Sequence, residues 1–155
     1  MNSFRKILKK GGEMKLSTTI RYGTRLMLDM AENQQNGPIR IRTIAKRQGI
    51  SEKYLEKIVR LLRKAGLVDG LRGPGGGYVL ASSPDSITLG EILEAVQGKI
   101  ELCPCLGEPE KCEKHQYCKT RMVWNDINHA VSTRLHSTTL ADLRDSVCPA
   151  ETRME

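Results

Sequence analysis

Apolar residues recur along this chain with a helical period in some stretches, a strand-like pattern in others, and no period at all in one. From Ser17 to about Asn33, Ile20, Gly23, Met27, Met30 and Ala31 fall on one helical face. Ser17 or Thr18 can cap its start by accepting an unpaired backbone N–H, and Asn36-Gly37-Pro38 breaks it. A short helix follows over about Arg42 to Gln48, with Ile44 and Ala45 inward and Gly49 as its stop. Ser51 opens a third helix, to about Lys64, in which Leu55, Ile58, Val59 and Leu62 recur at i, i+3, i+4 and i+7. Gly66 ends it. Two short β-prone runs, Leu67-Val68 and Tyr78-Val79-Leu80, then flank a Gly/Pro-rich tip from Gly70 to Gly77, which predicts a hairpin.

After a turn at Ser82 to Asp85, Thr88 caps a helix over Leu89 to about Gln97, with Glu91 at the capping-box spacing. A long helix over about Lys119 to Leu135 carries a broad stripe of Val123, Trp124, Ile127, Ala130, Val131 and Leu135, and Thr139 to Arg144 adds a short turn. Between these helices, Lys99 to Cys118 has neither period and holds four cysteines, two prolines and a glycine. An irregular segment of that length inside a small domain points to function.

Helix, short helix, turn with Gly, helix and hairpin is the order of a winged helix-turn-helix. The expected fold is therefore mainly α with a small β-hairpin wing, followed by a long C-terminal dimerisation helix. A terminal helix after a loop has few remaining core partners. Its stripe of Val123, Trp124, Ile127, Val131 and Leu135 is read as a surface for a second copy of the chain. The divisions that follow are a disordered extension over 1–13 (with Met14 as an alternative start), a DNA-binding domain over 14–98, a cysteine-rich loop over 99–118, a dimerisation region over 119–146 and a flexible tail over 147–155.

Charge sharpens this reading. The 155-residue chain has a formal net charge of +7. Between Arg40 and Arg72 lie ten Lys/Arg and three Asp/Glu, so that this segment carries the whole excess. Such a local field releases counterions from a phosphate backbone. The third helix, with Ser51-Glu52-Lys53-Tyr54 in its first turn, is the expected recognition helix. Arg42, Lys46 and Arg60 extend the basic face. The tip Arg72-Gly73-Pro74-Gly75-Gly76-Gly77 permits close backbone approach at Gly75 and Gly76, and Arg72 is placed to enter a minor groove. A phosphate-cradling glycine loop would need a helix after it, and a strand follows here. No Ser/His/Asp or paired-carboxylate arrangement suggests an enzyme, and no small-molecule substrate is expected. No apolar run reaches the ~18 residues of a membrane span. The basic start lacks the apolar stretch of a secretory signal, so a cytoplasmic, reducing setting is expected.

In that setting clustered cysteines indicate metal or redox chemistry rather than disulfides. Cys103, Cys105, Cys112 and Cys118 pack four thiols into sixteen residues, while Cys148 stands apart as a bystander. Soft thiolates suit an iron–sulfur cluster or zinc, though the spacing lacks the paired C-x2-C halves of a common zinc ribbon. Unliganded or redox-switching thiols are the remaining alternative. A small iron–sulfur electron carrier would explain the cysteines but not the basic helix-turn-helix.

The stretch ISEKYLEKIVRLLRKAGLVDGLRGPGGGYVLA (Ile50 to Ala81) resembles the core of the IscR/NsrR/BadM family, also called Rrf-two regulators, and MKLSTTIRYGTRLMLDMA from Met14 is similar to that family's first helix. The resemblance extends from Met14 to about Ser146. It implies a homodimeric transcriptional regulator, a repressor, whose recognition helices and wings read a pseudo-palindromic operator in double-stranded DNA. By the same match, Ser51, Lys53, Tyr54, Glu56 and Lys57 are groove and backbone contacts and Arg72 is the wing contact. The resemblance also implies an iron–sulfur cluster as sensor of redox state, nitric oxide or cluster supply, with [2Fe–2S] preferred to [4Fe–4S]. Cys105, Cys112 and Cys118 match the three ligating cysteines. The chain departs from the family at the fourth ligand. Arg121 stands where IscR-type members have His, and Arg21 where NsrR-type members have an Asp that serves the other subunit. Cys103 is the nearest replacement; His115 and a partner carboxylate are further options.

Overall fold

The computed structural model describes residues 16–146. The expected N-terminal extension, the alternative start at Met14, Cys148 and the expected tail lie outside the described residues. Helix α1 (Thr18–Asn33) begins at Ser17, whose Oγ accepts from the Ile20 N–H at 3.3 Å. Helix α2 (Ile41–Gln48) ends at Gly49, whose φ of +64° favours glycine. Helix α3 (Glu52–Lys64) starts from Ser51, which accepts from the Tyr54 N–H at 3.4 Å. Strands β1 (Val68–Leu71) and β2 (Gly77–Leu80) pair antiparallel from Val68↔Leu80 to Leu71↔Gly77. The hairpin tip is shorter than the glycine pattern predicts. Gly70 and Leu71 belong to β1, and the turn closes through a bond from the Gly76 N–H to the Gly73 carbonyl at 2.9 Å. Ile39 adds a bridge to the outer edge of β2, exchanging both backbone bonds with Tyr78 at 2.8 and 2.9 Å.

Helix α4 (Leu89–Gln97) has the expected capping box between Thr88 and Glu91. The cysteine segment holds one short helix, α5 (Pro104–Gly107), and a 3-10 turn at Pro109–Lys111. Helices α6 (Lys119–His136) and α7 (Leu140–Asp145) complete the described chain.

The apolar stripes of α1, α2, α3 and α4 meet in one core around Leu26, Met27, Ile44, Leu55, Ile58 and Ile92. Gly23 lets α1 lie close to α4, because a Cβ there would sit 3.2 Å from Val96 Cγ1. Leu140 of α7 is fully buried in the same core. The chain entering α7 is tied back by bonds from the Leu140 N–H to the Ile87 carbonyl and from the Leu89 N–H to the Thr138 carbonyl, both 2.8 Å. The C-terminal end of α6 is thereby fixed against the start of α4.

Helix α6 itself buries none of its eighteen residues. Val123, Trp124, Ile127 and Val131 are exposed; Leu135 alone of the expected intersubunit residues packs onto the chain's own core.

Candidate nucleic-acid interface and cysteine loop

Helix α3 is divided lengthwise. Leu55, Ile58, Val59 and Leu62 are buried, while Ser51, Lys53, Glu56, Lys57 and Arg60 are exposed. Ser51, Lys53, Tyr54, Lys57 and Arg60 line a shallow groove of about 320 Å³ on the outer face. Arg42 and Lys46 are exposed on α2. At the wing, Arg72 and Gly75 are exposed and Gly76 is half-buried. The structure thus gathers the expected nucleic-acid residues on α2, the N-terminal part of α3 and the hairpin tip. Tyr54 has a divided role: its ring meets Tyr22 edge-on at 5.8 Å, and its hydroxyl lies 3.0 Å from Thr19 Oγ1. It ties α3 to α1 as well as lining the outer groove.

Three bracing contacts escaped the sequence reading. Asp29, 2% exposed, accepts from the Arg47 guanidinium and from Gln48 Nε2 at 2.9 Å. The pairing raises the Arg47 pKa above its ordinary value, chiefly through the hydrogen bond to Asp29. Arg25 holds the same end of α2 through Gln48 Oε1 and the Gln48 carbonyl, both at 2.9 Å. Arg40 donates to the Pro74 carbonyl at 2.6 Å and so fastens the start of α2 to the wing tip. A single Asp inside the apolar stripe of α1 was the available signal for the first contact; nothing in the sequence pairs Arg40 with Pro74.

In the cysteine loop, Cys103, Cys105, Cys112 and Cys118 are all half-buried thiols. Cys103 Sγ and Cys105 Sγ lie 3.7 Å apart. Partial burial, the hydrogen bond with Cys105 and the nearby thiols of Cys105 and Cys118 push the Cys103 pKa up. Cys118 is the N-cap of α6, and its sulfur lies 3.1 Å from Thr120 Oγ1. That bond, helped by the Arg121 backbone N–H, pulls the Cys118 pKa down, which favours a thiolate. Cys112 is held through its backbone: its carbonyl accepts from His115 Nδ1 at 2.8 Å. His115, Cys118 and Arg121 line one cleft of about 440 Å³. Arg121 Nε donates to the Cys105 carbonyl at 3.2 Å, and Asn128 Oδ1 accepts from the Leu102 N–H at 3.0 Å. Both tether the loop to α6.

Among the described residues, no three His, Cys, Asp or Glu side chains converge on one metal position. The donor set nevertheless fits a thiolate-held centre: four soft donors lie on one loop, and one pair already stands at ligating separation.

A winged helix-turn-helix with a basic outer face is the architecture of a DNA-binding transcriptional regulator. The family model of Rrf2, described as an iron-dependent transcriptional regulator, matches residues 16–146, and the chain belongs to that family. It is 44% identical over 138 residues to Protein rrf2 of Nitratidesulfovibrio vulgaris, covering 88% of this chain and 92% of that one. It is 40% identical over 130 residues to the HTH-type transcriptional regulator IscR of Erwinia tasmaniensis, covering 84% and 78%. Among solved structures it is similar to CymR, the global cysteine regulator of B. subtilis, with a TM-score of 0.73, 40% identity and coverage of 88% and 100%. It is also similar to T. potens IscR, with a TM-score of 0.71, 36% identity and coverage of 92% and 93%. The chain is therefore not an enzyme, and membership sets aside the electron-carrier alternative. No described helix is long and apolar enough to cross a membrane.

Proposed function

We propose that the chain represses transcription as a homodimer that binds a pseudo-palindromic operator and carries an iron–sulfur cluster on its cysteine loop. The observation that carries the DNA half is the division of α3, whose inner face is fully buried while Ser51, Lys53, Lys57 and Arg60 stand exposed in one basic groove. The N-terminal turn of such a helix meets base edges in the major groove, Glu56 accepts from an exposed base amino group, and Arg42, Lys46 and Arg60 meet phosphates. Arg72, backed by the close-approaching backbone of Gly75 and Gly76, enters the minor groove.

The dimer is supported by the exposed stripe of α6. Through Val131 and Leu135 it continues into an apolar groove of about 540 Å³ between α1, α4 and α6, which the partner's stripe would cover. Cys105, Cys112 and Cys118 would hold the cluster. When bound, the cluster supplies reactivity toward oxidants and nitric oxide. The chain's own part is mechanical: Arg121 and Asn128 join the loop to α6, so the order of the loop bears on the helix between the two reading heads. The family's description as iron-dependent supports an iron-based signal, and the description of CymR as a global cysteine regulator supports a thiol-linked one.

The test is anaerobic reconstitution with iron and sulfide, followed by operator selection from genomic fragments and anisotropy titrations over a range of salt. A loaded dimer whose operator affinity differs about 5–150-fold from the stripped form is expected, the usual span of allosteric coupling. Arg72→Ala should lower the salt slope by about one contact. A colourless, zinc-loaded protein with equal operator affinity would leave the regulator standing and remove the cluster. Absence of sequence preference in any form would remove the regulator.

A further inference from the structure

Building on the thiolate-held centre proposed above, we infer that Cys103 and Cys105 bind one metal atom as a chelating pair, which makes Cys103 the fourth ligand and the centre all-thiolate. Their sulfurs are 3.7 Å apart. A disulfide needs about 2.0 Å. Two thiolates on one tetrahedral metal, with metal–sulfur bonds of about 2.3 Å, stand about 3.8 Å apart. The pair, in S–H···S contact, thus stands at a separation that two thiolates on one metal share and a disulfide does not, with Pro104 between the two cysteines fixing its own φ at the first position of α5. The Cys103–Cys105 arm is also held from outside: the Leu102 N–H is anchored on Asn128, and the Cys105 carbonyl on Arg121.

Arg121 completes the argument. A guanidinium cannot ligate, having no acceptor. Fastened to the backbone of a ligating cysteine, it places a fixed positive charge beside a centre that four thiolates make strongly anionic. Cys118, at the N-terminus of the eighteen-residue α6, receives similar support from the helix dipole. Each thiol that binds releases its proton to solvent.

The test uses the full chain with Cys103→Ala, Arg121→His, and the two combined. Each is reconstituted anaerobically with ferrous iron and sulfide and checked by far-UV circular dichroism. Iron and acid-labile sulfide per chain and the electron paramagnetic resonance of the reduced centre are then read. Wild type should show an all-thiolate signal. Cys103→Ala should retain less than half the iron and sulfide. The double variant should recover metal with shifted g-values, because the new imidazole replaces the lost thiolate. Cys103→Ala with wild-type iron, sulfide and g-values overturns the inference. If wild type takes up metal without sulfide, the cluster reading fails, and loss of that metal in Cys103→Ala still upholds the chelate. If wild type takes up no metal, both fall.

Discussion

Helices α3 and α6 are both striped in sequence, yet Leu55, Ile58, Val59 and Leu62 of α3 are buried, whereas Val123, Trp124 and Ile127 of α6 remain 58, 48 and 41% exposed. Around α3 every stripe finds another stripe, and the polar exception, Asp29, finds Arg47 and Gln48. Around α6 the contacts are few: the cysteine loop meets it at Arg121 and Asn128, and the start of α4 meets its C-terminal end. The same amphipathic code thus describes a helix whose stripe is covered within its own chain and a helix whose stripe stays exposed in it.

The contrast makes graded predictions. Leu62→Ala, which opens a cavity in the closed core, should cost roughly 2–5 kcal/mol in urea unfolding. Ile127→Ala, measured at concentrations low enough to keep the chain monomeric, should change it by no more than about 0.5 kcal/mol. Equal losses from the two would erase the distinction. Next in size is Gly77→Ala. A Cβ there would lie 2.7 Å from the Ile39 carbonyl oxygen, so the base of the wing must move. An overpacking cost of roughly 1–3 kcal/mol is expected, with weaker DNA binding. Thr88→Ala removes a side-chain cap that closes α4 and should cost about 1 kcal/mol in the same assay. The smallest effect concerns Asp142, which caps α7 at Thr139. Its pKa is held below the ordinary carboxylate value, first by the Thr139 backbone N–H and then by the Thr139 hydroxyl. A depressed folded pKa means that the capping contribution is present above the unfolded value and disappears as pH falls through the folded one. Stability should therefore drop below the usual carboxylate range in wild type and less steeply in Asp142→Asn, as followed by thermal melts between pH 2 and pH 6.

Much of the closed half was legible because its instructions are local. Ser17, Ser51 and Thr88 are caps that act within three residues, Gly49 stops α2, and the stripes of α1 and α3 name their own buried residues. Glycine spacing alone overstates the length of the wing tip, because Gly70 and Gly77 sit in paired strands as well as beside the turn. The braces by Asp29, Arg25 and Arg40 join residues 18 to 34 positions apart, and their pairing follows from the packed helices rather than from any spacing. In the cysteine loop the donor types were legible. Their grouping was not: the fold brings the Cys103 and Cys105 sulfurs into contact, with Pro104 opening the turn between them.

The bridge between Thr88 and Thr139 gives α6 the geometry of a lever. Its eighteen residues span about 27 Å at 1.5 Å each, with the fulcrum near His136 and Cys118 at the far end, beside the cysteine loop. On an arm of about 27 Å, a displacement of about 2 Å at Cys118 is a tilt of only about 4°. A small rearrangement of sulfur atoms therefore needs no unfolding to be felt along the whole helix, and every residue of its exposed stripe swings in proportion to its distance from that pivot.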